Sequence, residues 1–114
     1  MEQTFGKKLQ ALRRAKGISQ RDLAERVGVD FSYISKVEND RLPPPAAETI
    51  ERICSELSVP TDELMGLTDK LPTDLRQLLV ENQSARDFMR QAQQMALSES
   101  EWQKMASRLK KLRS

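Results

Sequence analysis

The sequence lacks histidine entirely and has a single cysteine, Cys54, among its 114 residues. Without histidine, the usual base that activates a serine or cysteine nucleophile is missing, which argues against an enzyme. The same shortage removes the ligands of a structural zinc site, so we predict no metal and no cofactor. A lone cysteine cannot form an intramolecular disulfide, which suits a reducing cytoplasm.

Long apolar runs are also missing. No run approaches the length of a membrane span, and the N-terminus has no signal-peptide apolar region. We therefore predict a cytoplasmic protein with no membrane partner. The length fits one domain, or a small domain with an appendage.

Charge is nearly balanced, with 19 basic and 17 acidic residues, but it is unevenly distributed. Residues 1–41 carry nine basic and six acidic side chains, whereas residues 42–67 carry one basic and five acidic ones. This arrangement indicates a domain with one face directed toward phosphates and another kept away from them.

Residues 17–40 predict two short helices joined by a tight turn. Ser19 is a good N-cap for the first helix. Gly28 ends it, because the residue after a helix often adopts a left-handed conformation that glycine takes without strain. Asp30 is a suitable N-cap for the second helix. Apolar residues at helical spacing form the predicted buried faces: Leu23, Ala24, Val27, Ile34 and Val37. This combination is typical of a helix-turn-helix, whose second helix can enter a DNA major groove. The alternative is an ordinary helical hairpin with no DNA role.

This stretch closely resembles the phage-repressor-type, or Xre, helix-turn-helix family. The residues that carry the resemblance within the motif are Gln20, Leu23, Ala24, Gly28, Val29, Ser32, Ile34, Ser35, Val37, Glu38 and Asn39. Outside the motif they are Leu9, Leu12, Arg13, Gly17, Pro43, Thr49, Ile50 and Leu57, so the resemblance covers about residues 5–67. It implies an all-α fold with a five-helix repressor-like domain, and binding to double-stranded DNA.

The family's pattern also implies roles for individual residues. The residues expected to contact DNA bases are Phe31, Ser32, Ser35 and Lys36, and those expected to contact phosphates are Gln20, Tyr33, Asn39 and Arg41. For Phe31 the alternative is a core or helix-end packing residue. The resemblance further implies a partly buried ion pair between Arg13 and Glu38, which would tie the first helix to the recognition helix.

The C-terminal part predicts three more helices after a hinge. We divide the chain into a DNA-binding domain at 1–67, a hinge at 68–72 and a helical segment at 73–114. Thr73 and Ser84 are the expected N-caps of the first two helices, and Ser98 with Glu101 fits a capping box for the third. Apolar stripes predict a dimerisation surface that includes Leu75, Leu79, Phe88, Trp102, Met105 and Leu109. The alternative is that these stripes pack on one another in a small monomeric bundle.

The favoured function is therefore a sequence-specific transcriptional regulator, a repressor acting as a homodimer on a palindromic operator. The alternative is an antitoxin, whose C-terminal segment binds a toxin while the Xre domain regulates its own operon. The layout is also similar to repressors inactivated by a dedicated metallopeptidase. A toxin and a regulatory peptidase are thus two further partners that the sequence leaves open.

Overall fold

The computed structural model describes residues 3–114, and this part of the chain contains eight helices and no strand. Met1 and Glu2, the first two residues of the predicted DNA-binding domain, lie outside the described residues. The predicted all-α fold is confirmed. Two compact units are present, Met1–Arg76 and Gln77–Ser114.

The first unit contains the five predicted helices and the start of a sixth. They are α1 (Phe5–Ala15), α2 (Gln20–Val27), α3 (Phe31–Glu38), α4 (Ala47–Leu57) and α5 (Asp62–Met65), and the sixth is α6 (Thr73–Glu81). Helix α2 packs against α3 and α4, and α1 packs against α3 and α5. One apolar core joins them, formed mainly by Phe5, Leu9, Leu23, Ala24, Val27, Ile34, Val37, Ile50, Ile53, Cys54, Leu57, Leu64 and Met65.

The start of α1 is joined to the end of α3 through Asp40. The Asp40 carboxylate accepts hydrogen bonds from the Thr4 hydroxyl at 2.8 Å and from the Gly6 backbone N–H at 3.2 Å. Asp40 itself has a left-handed backbone, with φ of 57°. Gly6 is required for this close approach, because a Cβ there would lie 2.6 Å from the carbonyl oxygen of Glu38.

The second unit contains the end of α6, then α7 (Gln83–Met95) and α8 (Glu99–Lys110). The Ser98–Glu101 capping box is confirmed, with both reciprocal hydrogen bonds present at the start of α8. The predicted cap of α7 is wrong. Asn82 caps this helix by accepting from the Ala85 N–H at 2.9 Å, while Ser84 lies inside the helix. Both are capping residue types, and the helix begins at the earlier one.

The two units meet between Arg76 and Gln77, inside α6, and the predicted hinge at residues 68–72 stays a prediction. Thr73 joins the start of α6 to α4. Its backbone N–H and its hydroxyl both donate to the Glu51 carboxylate of α4, at 2.6 and 3.1 Å, which fastens the start of α6 to the first unit. Among residues 3–114, none of the helices combines the length and the apolar character needed to cross a bilayer.

Candidate nucleic-acid interface

Capping groups and one glycine determine where α2 ends and α3 begins. Ser19 caps α2 by accepting from the Asp22 N–H at 3.0 Å. Gly28 ends this helix with φ of 84°, a left-handed conformation that a side chain would strain. Arg52 of α4 then donates to the free carbonyl of Val27 at 3.1 Å. Asp30 takes the N-cap position of α3, as predicted, but makes no side-chain capping hydrogen bond.

A buried ion pair fastens α3 to α1. The Arg13 Nε and Nη2 atoms donate to the two carboxylate oxygens of Glu38, at 2.7 and 2.9 Å. The third arm of the guanidinium, Nη1, donates to the carbonyl of Ile18 at 2.8 Å. Arg13 is only 7% exposed and Glu38 4% exposed. This geometry matches the predicted Arg13–Glu38 pair.

Gln20 belongs to the same cluster. Its side-chain Nε2 donates to Glu38 Oε1 at 2.9 Å, so one carboxylate oxygen serves both Arg13 and Gln20. Within residues 3–114, every buried side-chain nitrogen and oxygen has a hydrogen-bond partner. Gln20 therefore orients the ion pair, and its expected phosphate contact stays a prediction.

The opposite face of α3 is open. Ile34 and Val37 are each 1% exposed and turn into the core, whereas Ser32 and Lys36 are exposed and Ser35 is half-buried. Phe31 is 44% exposed, which is inconsistent with its alternative role as a core residue. The four residues expected to contact bases thus lie on the accessible side of α3. Its opposite side is buried in the core and held by the Arg13–Glu38 ion pair.

Arg21, at the start of α2, was not singled out from the sequence. The carbon of its guanidinium lies 5.0 Å from the centre of the Phe31 ring, within the range of a cation–π interaction. Arg21 and Phe31 are ten positions apart on different helices, and a helix-by-helix reading of spacing contains no signal for this contact.

The remaining expected phosphate contacts lie beside this face. Tyr33 is half-buried against the core, and its burial raises the pKa of the phenol above the ordinary value of 10.0. Asn39 is exposed, and its side-chain amide donates to the Ser35 carbonyl at 2.9 Å. Arg41 is exposed, and its backbone N–H donates to the Lys36 carbonyl at 2.8 Å. These bonds cap the C-terminal end of α3.

The second unit carries an open apolar groove between α7 and α8. Its volume is about 390 Å³, and its apolar lining is Phe88, Ala92, Met95, Leu97 and Met105. Of the residues expected to form a dimer contact, Phe88 and Met105 line the groove, whereas Trp102 and Leu109 lie on α8 and are 38% and 69% exposed. In this unit only Ala92 is buried.

The fold agrees with comparisons to known proteins. The helix-turn-helix family model matches residues 9–64. The HTH-type transcriptional repressor RghR of Bacillus subtilis (strain 168) is 30% identical over 110 residues, which cover 89% of this chain and 78% of RghR. The chain belongs to the helix-turn-helix family of transcriptional regulators. The resemblance stated from the sequence is thereby confirmed.

Two further members of the helix-turn-helix family match part of the chain. RghRB, an uncharacterised HTH-type transcriptional regulator of Bacillus subtilis (strain 168), is 34% identical over 76 residues, covering 64% of this chain and 55% of RghRB. A crystal structure of SinR, the master regulator for biofilm formation, in complex with DNA has 31% identity and a TM-score of 0.52. It covers 54% of this chain and 98% of that chain.

Proposed function

We propose that this chain is a sequence-specific transcriptional repressor that binds double-stranded DNA as a homodimer. In this proposal α3 enters the major groove and the operator is palindromic. The observation that carries the proposal is the two-sided character of α3. Its inner side is held by the core and by the Arg13–Glu38 pair, while its outer side presents Phe31, Ser32 and Lys36.

Each outward residue has a matching group on DNA. The Lys36 ammonium can donate to guanine O6 and N7, the Ser32 hydroxyl can donate or accept, and Phe31 can pack on a thymine methyl. Ser35 is half-buried, so only the exposed part of its side chain can reach a base. Phosphate contacts are assigned to Gln20, Tyr33, Asn39 and Arg41, and these would set the register of α3 without reading sequence.

A second copy is proposed to cover the apolar surface of α7 and α8. One helix-turn-helix makes few contacts, and two of them read half-sites about 34 Å apart. The exposed apolar side chains of the second unit include Phe88, Met89, Met95, Trp102, Leu109 and Leu112. Leu75 and Leu79 of α6 are assigned to the same contact. A toxin or a regulatory peptidase would have to compete with the second copy for this surface.

Selection of bound DNA from a random double-stranded pool tests the DNA-binding proposal. We expect enrichment of one palindromic site with two half-sites one helical turn apart. Sedimentation of the full chain at tens of micromolar tests the dimer separately. Enrichment of no sequence would contradict the recognition role of α3. A monomer at tens of micromolar would contradict the dimer while leaving DNA recognition standing.

A further inference from the structure

Arg21 differs from Arg13 and Arg26 in the group that holds its guanidinium. Arg13 is buried against Glu38, and Arg26 lies 3.1 Å from the Asp22 carboxylate. Among residues 3–114, no carboxylate oxygen lies within 4.0 Å of the Arg21 guanidinium, which instead lies over the ring of Phe31. The Arg21 guanidinium is therefore held by the Phe31 ring while its charge is not neutralised by a carboxylate.

This arrangement leaves the donors of Arg21 available. A cation–π contact uses the charge of the guanidinium and occupies none of its five N–H donors. The contact with the Phe31 ring also restricts a flexible side chain in advance, which reduces the entropy lost when it binds. Phe31 is 44% exposed, so part of its ring remains free to touch a ligand as well.

We propose that Arg21 and Phe31 form one composite reader of two adjacent base pairs, a T·A pair beside a G·C pair. This proposal rests on the proposed function. Phe31 packs on the thymine methyl, and Arg21 donates to O6 and N7 of the neighbouring guanine. The thymine methyl and the O6 and N7 atoms of guanine are all exposed in the major groove. Successive base pairs are 3.4 Å apart, and the guanidinium and the ring centre are 5.0 Å apart, which allows each group its own base pair.

Gln20, another polar side chain at the start of α2, is held beside the ion pair. The Gln20 amide nitrogen donates to Glu38, inside the ion-pair cluster. Arg21 is the next residue along the chain, carries a full charge and is exposed. The reader therefore draws on α2 as well as α3, and it extends the recognition surface beyond the recognition helix.

The test starts from the site that the full-length wild-type chain selects from a random double-stranded pool. Affinity is then measured for the wild type, Arg21→Ala, Phe31→Ala, the double variant and Phe31→Leu. Four versions of the selected DNA are used: unmodified, with uracil replacing the thymine, with 7-deazaguanine replacing the guanine, and with both changes. Arg26→Ala is the matched control, since it removes another exposed arginine of α2 that is paired with Asp22.

We expect Arg21→Ala to weaken binding to the selected site by about 5- to 150-fold, the usual range for a bidentate arginine–guanine contact. The 7-deazaguanine change should then cost this variant nothing further. Phe31→Ala should cancel the effect of uracil and also reduce the effect of Arg21→Ala, because the ring orients the guanidinium. Phe31→Leu should keep the thymine preference and lose part of the guanine preference. Arg26→Ala should change little.

Three results would overturn the reader while the proposed function stands. One is a selected site without adjacent thymine and guanine. Another is an equal loss for Arg21→Ala on selected and random DNA, which would make Arg21 a phosphate contact. The third is strict additivity of Arg21→Ala and Phe31→Ala. If the wild-type chain enriches no site at all, the proposed function fails and the reader fails with it.

Discussion

Removing Arg13 should destabilise the first unit far more than removing any exposed arginine. Arg13→Ala deletes three hydrogen bonds of 2.7–2.9 Å and leaves the 4%-exposed Glu38 carboxylate with only Gln20 as a donor. Breaking one member of a buried pair costs about 3–5 kcal/mol. At about 0.05–0.15 kcal/mol per residue, a unit of this size has only about 4–11 kcal/mol in total. Arg13→Ala should therefore remove a large part of its stability.

Two readouts follow the loss of stability, and one of them is specific to the first unit. Urea unfolding followed by far-ultraviolet circular dichroism measures the total helix. Labelling of Cys54 reports on the first unit alone, because this buried thiol is the only cysteine in the chain. Both should register the loss in Arg13→Ala. The control is Arg26→Ala, which breaks the exposed pair with Asp22 and should cost about 0–1 kcal/mol.

A double-mutant cycle with Glu38→Gln decides whether the pair is the cause. In the Arg13→Ala background, Glu38→Gln should cost little or even restore stability, since it removes an uncompensated buried charge. Additive losses from the two substitutions would show that Arg13 and Glu38 act independently, and the reasoning from the ion pair would then be wrong.

Four further outcomes are expected. Lys36→Ala should weaken binding to the selected site by about 1–3 kcal/mol with little change on random DNA. Arg41→Ala should instead weaken binding to both DNAs alike and lower its salt dependence, which titration at several salt concentrations checks. An unchanged sequence preference in Lys36→Ala would count against the α3 surface. Gly6→Ala should lower the urea midpoint, because its Cβ meets the backbone of α3; an unchanged midpoint would contradict that packing. A fragment of residues 1–76 should fold but sediment as a monomer, and a dimeric fragment would refute the role of α7 and α8. Burial raises the pKa of the Cys54 thiol above 9.0, so the unfolded chain loses this proton at a lower pH than the folded chain. The free energy of unfolding should therefore fall as pH rises past about 9. Urea midpoints of the wild type and of Cys54→Ala, compared across this pH range, check it.

Features that depend on near neighbours in the chain were predictable from the sequence. Ser19, Gly28 and the Ser98–Glu101 box act within three or four residues of their own position, so their residue types carry the signal. The cap of α7 shows the limit of this reasoning. Asn82 and Ser84 are both capping types two positions apart, and the sequence contained no rule for choosing between them.

Features that depend on distant partners were missed unless the family resemblance supplied them. The Arg13–Glu38 pair spans 25 positions and came from the resemblance. The link from Asp40 to the start of α1 and the hydrogen bonds from Thr73 to Glu51 had no such source. Nor did the cation–π contact between Arg21 and Phe31. Each of these contacts exists only because packing brings two helices together, so the spacing within one helix cannot indicate it.

The two-sided construction of α3 has a consequence for how such a regulator can diverge. Ile34, Val37 and Glu38 hold the helix in place, and none of them lies on its outer side. Ser32 and Lys36 take no part in the core, so replacing them should leave the fold almost unchanged. A duplicated copy of this gene could therefore acquire a different operator through one or two outer substitutions. Because the scaffold tolerates such changes, new binding preferences can arise without a compensating stabilising mutation.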